Sequence, residues 1–252
     1  MALLTDGTIS RIEDLSAYDS QLLTVANTEG INVTQKLGLA RDEIQLEVSG
    51  LLARMSGWPA SGIGVLTAKN VVVTAPLKMW HTLRALELVY RDAYQSQLNE
   101  RYAGKRDEFA KMARWAYEKL VQAGLGMVWK PIAEAEPAQL TAAAGGLADG
   151  TYYAAVAWTS AAGEEGASSA ASQIQVSGSS FTVRAGAAPE IAAGWNVYAG
   201  SDKAGLTLQN TTPLAVGAVY QIPDTLTTAG RKAGSGQAPN YTQAVPRVIQ
   251  RG

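Results

Sequence analysis

The sequence predicts an α+β chain of two domains: a four-helix bundle over residues 1–136, a small antiparallel β-sandwich over 137–228, and an extended C-terminal tail over 229–252. Three observations predict it. The chain has 252 residues and 26.5 kDa, enough for two modest domains with a core each. Near Glu136 the apolar residues change from helical spacing to alternation, which marks a domain boundary. Charge thins at the same point: residues 1–136 carry 15 basic and 16 acidic side chains and residues 137–252 six of each, with Gly, Ala, Ser and Thr filling the second half.

In the first half, Thr8 or Ser10 can cap a helix whose buried stripe is Ile12, Leu15, Leu22 and Ala26, interrupted by Asp19 and stopped by Gly30. A second helix carries Val33, Leu37, Ala40, Ile44, Val48, Leu51 and Met55 at steps of three and four, the cleanest amphipathic pattern in the chain. Gly38 and Gly50 interrupt it at roughly 1 kcal/mol each relative to alanine. Gly57-Trp58-Pro59 and Ser61 to Gly64 are loop chemistry, and Val71 to Thr74 reads as a short strand or an extended arm. Pro76 suits the first turn of a long helix from Ala75 to about Ala103 with the stripe Met79, Leu83, Leu86, Tyr90, Tyr94 and Leu98. Gly104 breaks it. A fourth helix from Lys105 to about Ala123 buries Phe109, Met112, Ala113, Ala116 and Leu120 before Gly124, and four such helices close a bundle. The exit, Gly126 to Ile132, is extended and runs into an Ala, Glu and Pro linker.

Turn signals at Asp149-Gly150, Gly163 to Gly166, Ser177 to Ser180, Ala199 to Asp202 and Pro223-Asp224 divide the second half. Between them lie strand-forming runs at Tyr152–Thr159, Ser172–Val176, Phe181–Arg184, Trp195–Tyr198, Leu206–Gln209 and Leu214–Ile222. Short strands at this density predict a sandwich of immunoglobulin or fibronectin type III character, although the absence of a Cys…Trp…Cys core excludes an antibody-type domain. Residues 229–252 have too few apolar side chains to fold alone.

Composition removes most chemistries. Lys plus Arg is 21 against 22 for Asp plus Glu, and charged residues are 17% of the chain, which argues against a free-standing DNA binder. No cysteine and one histidine exclude disulfides, Cys-based zinc sites, thiol nucleophiles and any site needing two imidazoles. The N-terminus lacks a basic segment followed by an apolar run, and no uncharged apolar stretch reaches about 18 residues, which predicts a soluble chain without a secretion signal. His81, the single imidazole, lies between Trp80 and Thr82 in a helix and reads as a surface or packing residue; no GxSxG elbow accompanies it. Glu164 and Glu165 read as a solvated GEEG loop without an opposing carboxylate. Gly104-Lys105 lacks the rest of a P-loop, and no EF-hand ladder occurs. No cofactor, metal or catalytic residue is expected.

What remains is mixed charge around the junction of the third and fourth helices, Arg91, Asp92, Asn99, Glu100, Arg101, Lys105, Arg106, Asp107, Glu108, Lys111 and Arg114. Within one helix Asp107 can pair with Lys111 and Glu87 with Arg91, the reading of a solvated face. The functional alternative joins identical neighbours, plus to minus.

The stretch from Leu83 to Ile132, and above all the run LNERYAGKRDEFAKMARWA from Leu98 to Ala116, resembles the head-to-tail connector or adaptor proteins of tailed bacteriophages. The segments DGTYYAAVAWTSAAGEEGASS and GWNVYAGSDKAG are similar to the fibronectin-like or Ig-like modules appended to phage structural proteins. The helical resemblance covers about half of the chain. It implies a structural virion protein, made in the host cytoplasm, that assembles as a dodecameric ring beneath the portal protein at the head-tail junction. Such a ring extends the channel for double-stranded DNA, which passes without sequence-specific binding, and receives a tail, nozzle or tail-completion protein; a tail fibre or tailspike is a further partner. Near-neutral charge suits that conduit, since a basic lumen would hold DNA through counterion release. On this reading Arg91, Asp92, Glu100, Arg101, Arg106 and Glu108 are the candidate contacts between subunits, and Arg247, Val248, Ile249 and Arg251 the candidate portal-docking residues. The alternative is a module that grips carbohydrate or a host surface by stacking on Tyr152, Trp158, Trp195 or Tyr198. An enzyme such as a cell-wall hydrolase would have to work through His81 and Glu165.

Overall fold

The computed structural model describes residues 1–55, 66–97 and 100–242. The expected loop at 57–64 lies outside them. Among the described residues the chain is α+β, with five α-helices and antiparallel sheets and no barrel. It divides into two units, each built from two pieces of chain: 7–129 with 239–252, and 1–6 with 130–238. The change of unit after Trp129 comes earlier than the expected boundary at Glu136, because Ile132 and Ala135 are already buried in the β core.

In the helical unit the expected first helix is two: α1 (Ile12–Tyr18) and α2 (Leu22–Glu29). Asp19 separates them. Its carboxylate accepts hydrogen bonds from the Gln21 N–H (3.0 Å), Lys105 Nζ (3.0 Å) and the Tyr90 hydroxyl, and a side chain so engaged is 5% exposed. Gly30, at φ +68°, ends α2 in the left-handed conformation that favours glycine. Then follow α3 (Val33–Met55), α4 (Ala75–Gln97) and α5 (Ala103–Ala123). The expected stripe of α3 is largely buried, with Ala40, Ile44 and Val48 fully so. Helix α4 buries more than its expected stripe: Leu77, Trp80, Ala85, Leu88, Val89 and Ala93 join Leu83, Leu86 and Tyr90 inside, the signature of a central helix. It packs against α1, α2, α3 and α5. Trp80 meets Tyr117 at 4.9 Å near one end of the α4–α5 pair, and Tyr90 stacks on Phe109 at 5.4 Å near the other, so the two helices run antiparallel.

The expected extended arm is confirmed at Val71-Val72. The Val72 N–H donates to Gly126 O (2.9 Å), and Val71 bridges Met127 of β1 (Leu125–Met127). On the other side, β1 pairs with β10 (Asn240–Thr242), so part of the expected free tail is a strand. Gly126 is required there, because a Cβ would stand 2.5 Å from Thr74 Cγ2 and 3.0 Å from Pro239.

In the β unit the strands are β2 (Gln139–Ala143), β3 (Gly150–Thr159), β4 (Ser172–Val176), β5 (Ser180–Arg184), β6 (Gly194–Gly200), β7 (Thr207–Leu208), β8 (Leu214–Ala215) and β9 (Val219–Gln221). The run expected at Leu214–Ile222 is two strands, parted by a turn at Gly217 with φ +81°. Strand β2 lies within the expected sandwich but ahead of the first run expected to form a strand, Tyr152–Thr159. One sheet has the order β2-β5-β9, the other β4-β3-β6-β7 with β8 also on β6, and every pairing is antiparallel. Phe181 and Val183 of the first sheet share a buried cluster with Tyr152, Val156, Trp158, Trp195 and Val197 of the second. A smaller cluster around Ala155, Ala157, Tyr198 and Leu206 includes Ala233 at its margin. Residues 231–232 reach it by bridging strand β7: Lys232 pairs with Thr207 and Leu208 N–H donates to Arg231 O (2.9 Å).

Candidate assembly surface

The α4–α5 junction is built around Tyr90, Tyr102 and Phe109, all buried, with Lys105 over the Tyr90 and Phe109 rings at 5.9 and 5.6 Å. Burial alone would raise the Asp19 pKa, but hydrogen bonds from Tyr90, Lys105 and the Gln21 amide hold it below the ordinary carboxylate value. The pairing ties α5 to the α1–α2 break and fixes the junction's base. Lys105 was legible in the sequence as one of the junction charges; its partner, 86 residues away, was not.

The six candidate subunit contacts stand on the rim of this junction. Arg91, Glu100, Arg101 and Glu108 are exposed, and Asp92 and Arg106 half-buried. Asp92, Arg106 and Arg101 among them are already engaged within the chain. Asp92 bonds Lys36 of α3 at 2.7 Å, and Arg106 lies 4.2 Å over the Tyr94 ring while pairing with Asp107 at 2.8 Å. Arg101 lies 5.6 Å from the Tyr102 ring centre. The helical pairs expected from spacing are replaced by others: Asp107 takes Arg106, not Lys111, and Glu87 takes Arg84 at 2.6 Å, not Arg91, because Arg84 also bridges to Glu43 of α3. Arg247, Val248, Ile249 and Arg251 lie outside the described residues.

Farther along α4, α3 and α5 wall a groove of about 620 Å³ floored by Trp80, Arg84 and Glu87. His81 is buried on another side of α4. Its Nε2–H donates to Leu37 O (3.1 Å) and its Nδ1 accepts the Ser10 hydroxyl. Burial is the main reason that its pKa falls to about 4, helped by Arg41 and opposed by the Leu37 carbonyl. Both ring nitrogens are committed and both Ser10 and His81 are about 2% exposed or less, so this pair is a packing tie and has no route to a substrate.

No protein-family model matches the chain, and no curated protein matches it.

In the β unit, Glu165 departs from the expected solvated loop. It accepts from Asn196 (2.6 Å), Tyr198 (2.6 Å) and Arg231 (2.5 Å), and its side chain is 13% exposed. Burial would raise its pKa, and these three donors lower it overall. Glu164 is exposed as expected and accepts from Gln237 at 3.1 Å. The buried Gln237 side chain also bonds the Ile132 N–H and Lys130 O, so residues 231–237 are fastened at both ends. Tyr152, Trp158, Trp195 and Tyr198 are all buried, so none offers a ring face to a sugar. No group of three metal-ligating side chains occurs among the described residues, and no described helix is long and apolar enough to cross a membrane.

Proposed function

We propose that the chain is a structural virion protein, a head-to-tail adaptor of a tailed bacteriophage that forms a ring, a dodecamer by resemblance, beneath the portal. The helical unit makes the ring wall, and the β unit is read as an Ig-like or fibronectin-like sandwich. The tail docks on the far side, double-stranded DNA passes through the ring, and residues Arg247 to Arg251 engage the portal. The observation that carries this reading is the α4–α5 pair. The sequence that resembles adaptors folds as the centre of the helical unit and brings charge of both signs to one exposed junction. Opposite charges on one rim suit plus-to-minus contact between identical neighbours. The burial of all four stacking aromatics removes the residues on which the carbohydrate-binding alternative stood.

The test is assembly on portal-bearing capsids. The wild-type chain is expected to bind them as a ring visible by electron microscopy, and the doubly charge-reversed chain Arg101→Glu, Arg106→Glu to remain folded and leave the portal bare. Rings formed equally well by that variant would remove the junction from the interface, and absence of the protein from the head-tail junction of native particles would overturn the function.

A further inference from the structure

The sequence contains Asp-Gly-Thr twice, at Asp6-Gly7-Thr8 and at Asp149-Gly150-Thr151, and the fold treats the two copies differently. Asp149-Gly150 is held at both residues. The Gly178 N–H donates to Asp149 Oδ1 (2.7 Å) and the Ser177 hydroxyl to Oδ2 (3.1 Å), while Gly150 opens β3 opposite Val176 of β4. Asp6-Gly7 has less to hold it. The Leu3 N–H donates to Asp6 Oδ2 (2.7 Å) across a turn closed by Asp6 N–H to Leu3 O (3.0 Å). Oδ1 of Asp6 and the Gly7 N–H have no hydrogen-bond partner among the described residues, and Gly7 belongs to no helix or strand. The φ of Gly7, +127°, favours glycine, and nothing lies within 4 Å of where a Cβ would stand, so space is free on that side of the backbone.

We propose that Asp6-Gly7 is a site of spontaneous covalent modification, the conversion of Asp6 to isoaspartate, and that the fold protects Asp149-Gly150 from the same reaction. With the carboxyl protonated at Oδ1, the Gly7 nitrogen forms a bond to Asp6 Cγ and gives up its proton, and Oδ1 leaves with both protons as water. Glycine permits this attack because no Cβ shields its nitrogen. The five-membered succinimide then takes up one water. Opening at Cγ restores aspartate, whereas opening at the main-chain carbonyl leaves the chain running through Cγ and frees the α-carboxylate. Reactant and product have the same composition, so no oxidant, reductant or cofactor is needed. At Asp149 the same closure must first break the bonds to Gly178 and Ser177 and shift the first residue of β3. At Asp6 it breaks one bond. The product has one more methylene in the backbone and no side-chain carboxylate where Leu3 N–H finds its acceptor, so the turn that holds Leu3 and Leu4, 4% and 0% exposed, is loosened. The inference stands apart from the adaptor reading.

The two copies share the residue that attacks and the residue after it, so each serves as the other's control. The full-length protein is aged at neutral pH and physiological temperature, folded and in guanidinium chloride. Isoaspartate is read at each position by peptide mapping, and in total by methyl transfer from S-adenosylmethionine with an isoaspartyl carboxyl methyltransferase. Each folded-state rate is taken relative to that of the same position in denaturant. On that scale Asp6 is expected to convert about tenfold faster than Asp149 or more, the factor set by hydrogen bonds that must open first. Asp6→Glu is expected to remove most of the methyl transfer to the folded chain, because its longer side chain would have to close a six-membered ring, and Asp149→Glu to leave it unchanged. Equal relative rates at the two positions, faster conversion of Asp149, or a folded Asp6 that stays intact while the denatured chain converts would each overturn the proposal.

Discussion

Two buried ionisable side chains set how the helical unit responds to acid. His81 is held neutral, with its pKa lowered from 6.5 to about 4 mainly by burial, so its contribution is complete above pH 6.5 and is lost as pH falls from there toward 4. Between pH 7.5 and 5 that loss is about 2 kcal/mol by proton linkage. Urea titrations of the wild type at the two pH values are expected to show it, and His81→Gln to show a much flatter dependence; equal slopes would mean that His81 is accessible to protons in the folded chain. Asp19 has the same sign for a different reason. Its pKa is lowered by hydrogen bonds that outweigh burial, so its contribution is present above the ordinary carboxylate range and disappears below it, at more acid pH than that of His81. Asp19→Ala leaves the Tyr90 hydroxyl and Lys105 without their acceptor and is expected to cost about 2 kcal/mol at pH 7, with an unchanged denaturant slope.

At the scale of elements, legibility followed how many neighbours a segment has. Helices α3 and α5 bury one stripe each, and their spacing announced it. Helix α4 is enclosed on several sides, so a search for one stripe found Leu83, Leu86 and Tyr90 and missed Leu77, Leu88 and Val89. The α1–α2 break is set by partners of Asp19 more than 70 residues away, beyond any local pattern. Strand β2 is built from Gln139-Leu140-Thr141-Ala142-Ala143, mostly exposed and too weakly alternating to distinguish from a linker; pairing with β5 makes it a strand. The pairings of the junction charges were not legible along one helix, because Arg84 reaches Glu43 of α3 and Arg106 lies over Tyr94 of α4. The glycines divide on the same principle. Gly126→Ala is expected to cost about 1–3 kcal/mol, since its Cβ would overlap Thr74 and Pro239. Gly38→Ala, facing open space, is expected to raise stability by up to about 1 kcal/mol. Thermal melts of the two variants check the pair.

For the whole molecule, the change in composition near Glu136 located the transition from helices to strands, but a fold's unit includes whatever its core draws in. The β unit takes Leu3 and Leu4 from the start of the chain, Ile132 and Ala135 from before the expected boundary, and Arg231, Ala233 and Gln237 from after it. Arg231, Ala233 and Gln237 stand singly among Gly, Ala and Pro, so no periodicity marks them; Glu165, Glu164 and the edge of β7 give that segment its place. A fragment cut at 137–228 therefore loses Ile132, 1% exposed, from the main cluster, a loss of about 2–5 kcal/mol by analogy with truncating a buried isoleucine, and strips the Arg231 cap from Glu165. Because small domains are stable by only about 5–15 kcal/mol, that fragment is expected to melt far below fragment 130–238 and to be cleaved by protease where the longer one resists. Glu165→Gln in the full chain isolates one part of the difference. It keeps the shape of the side chain and removes the charge that Arg231 meets, so protection from hydrogen exchange is expected to fall at Leu208, whose amide donates to Arg231 O, and to persist in β3 and β6. Uniform loss across the unit would mean that residues 231–237 support the core itself, whereas no loss at Leu208 would show that Gln237 alone holds the segment down.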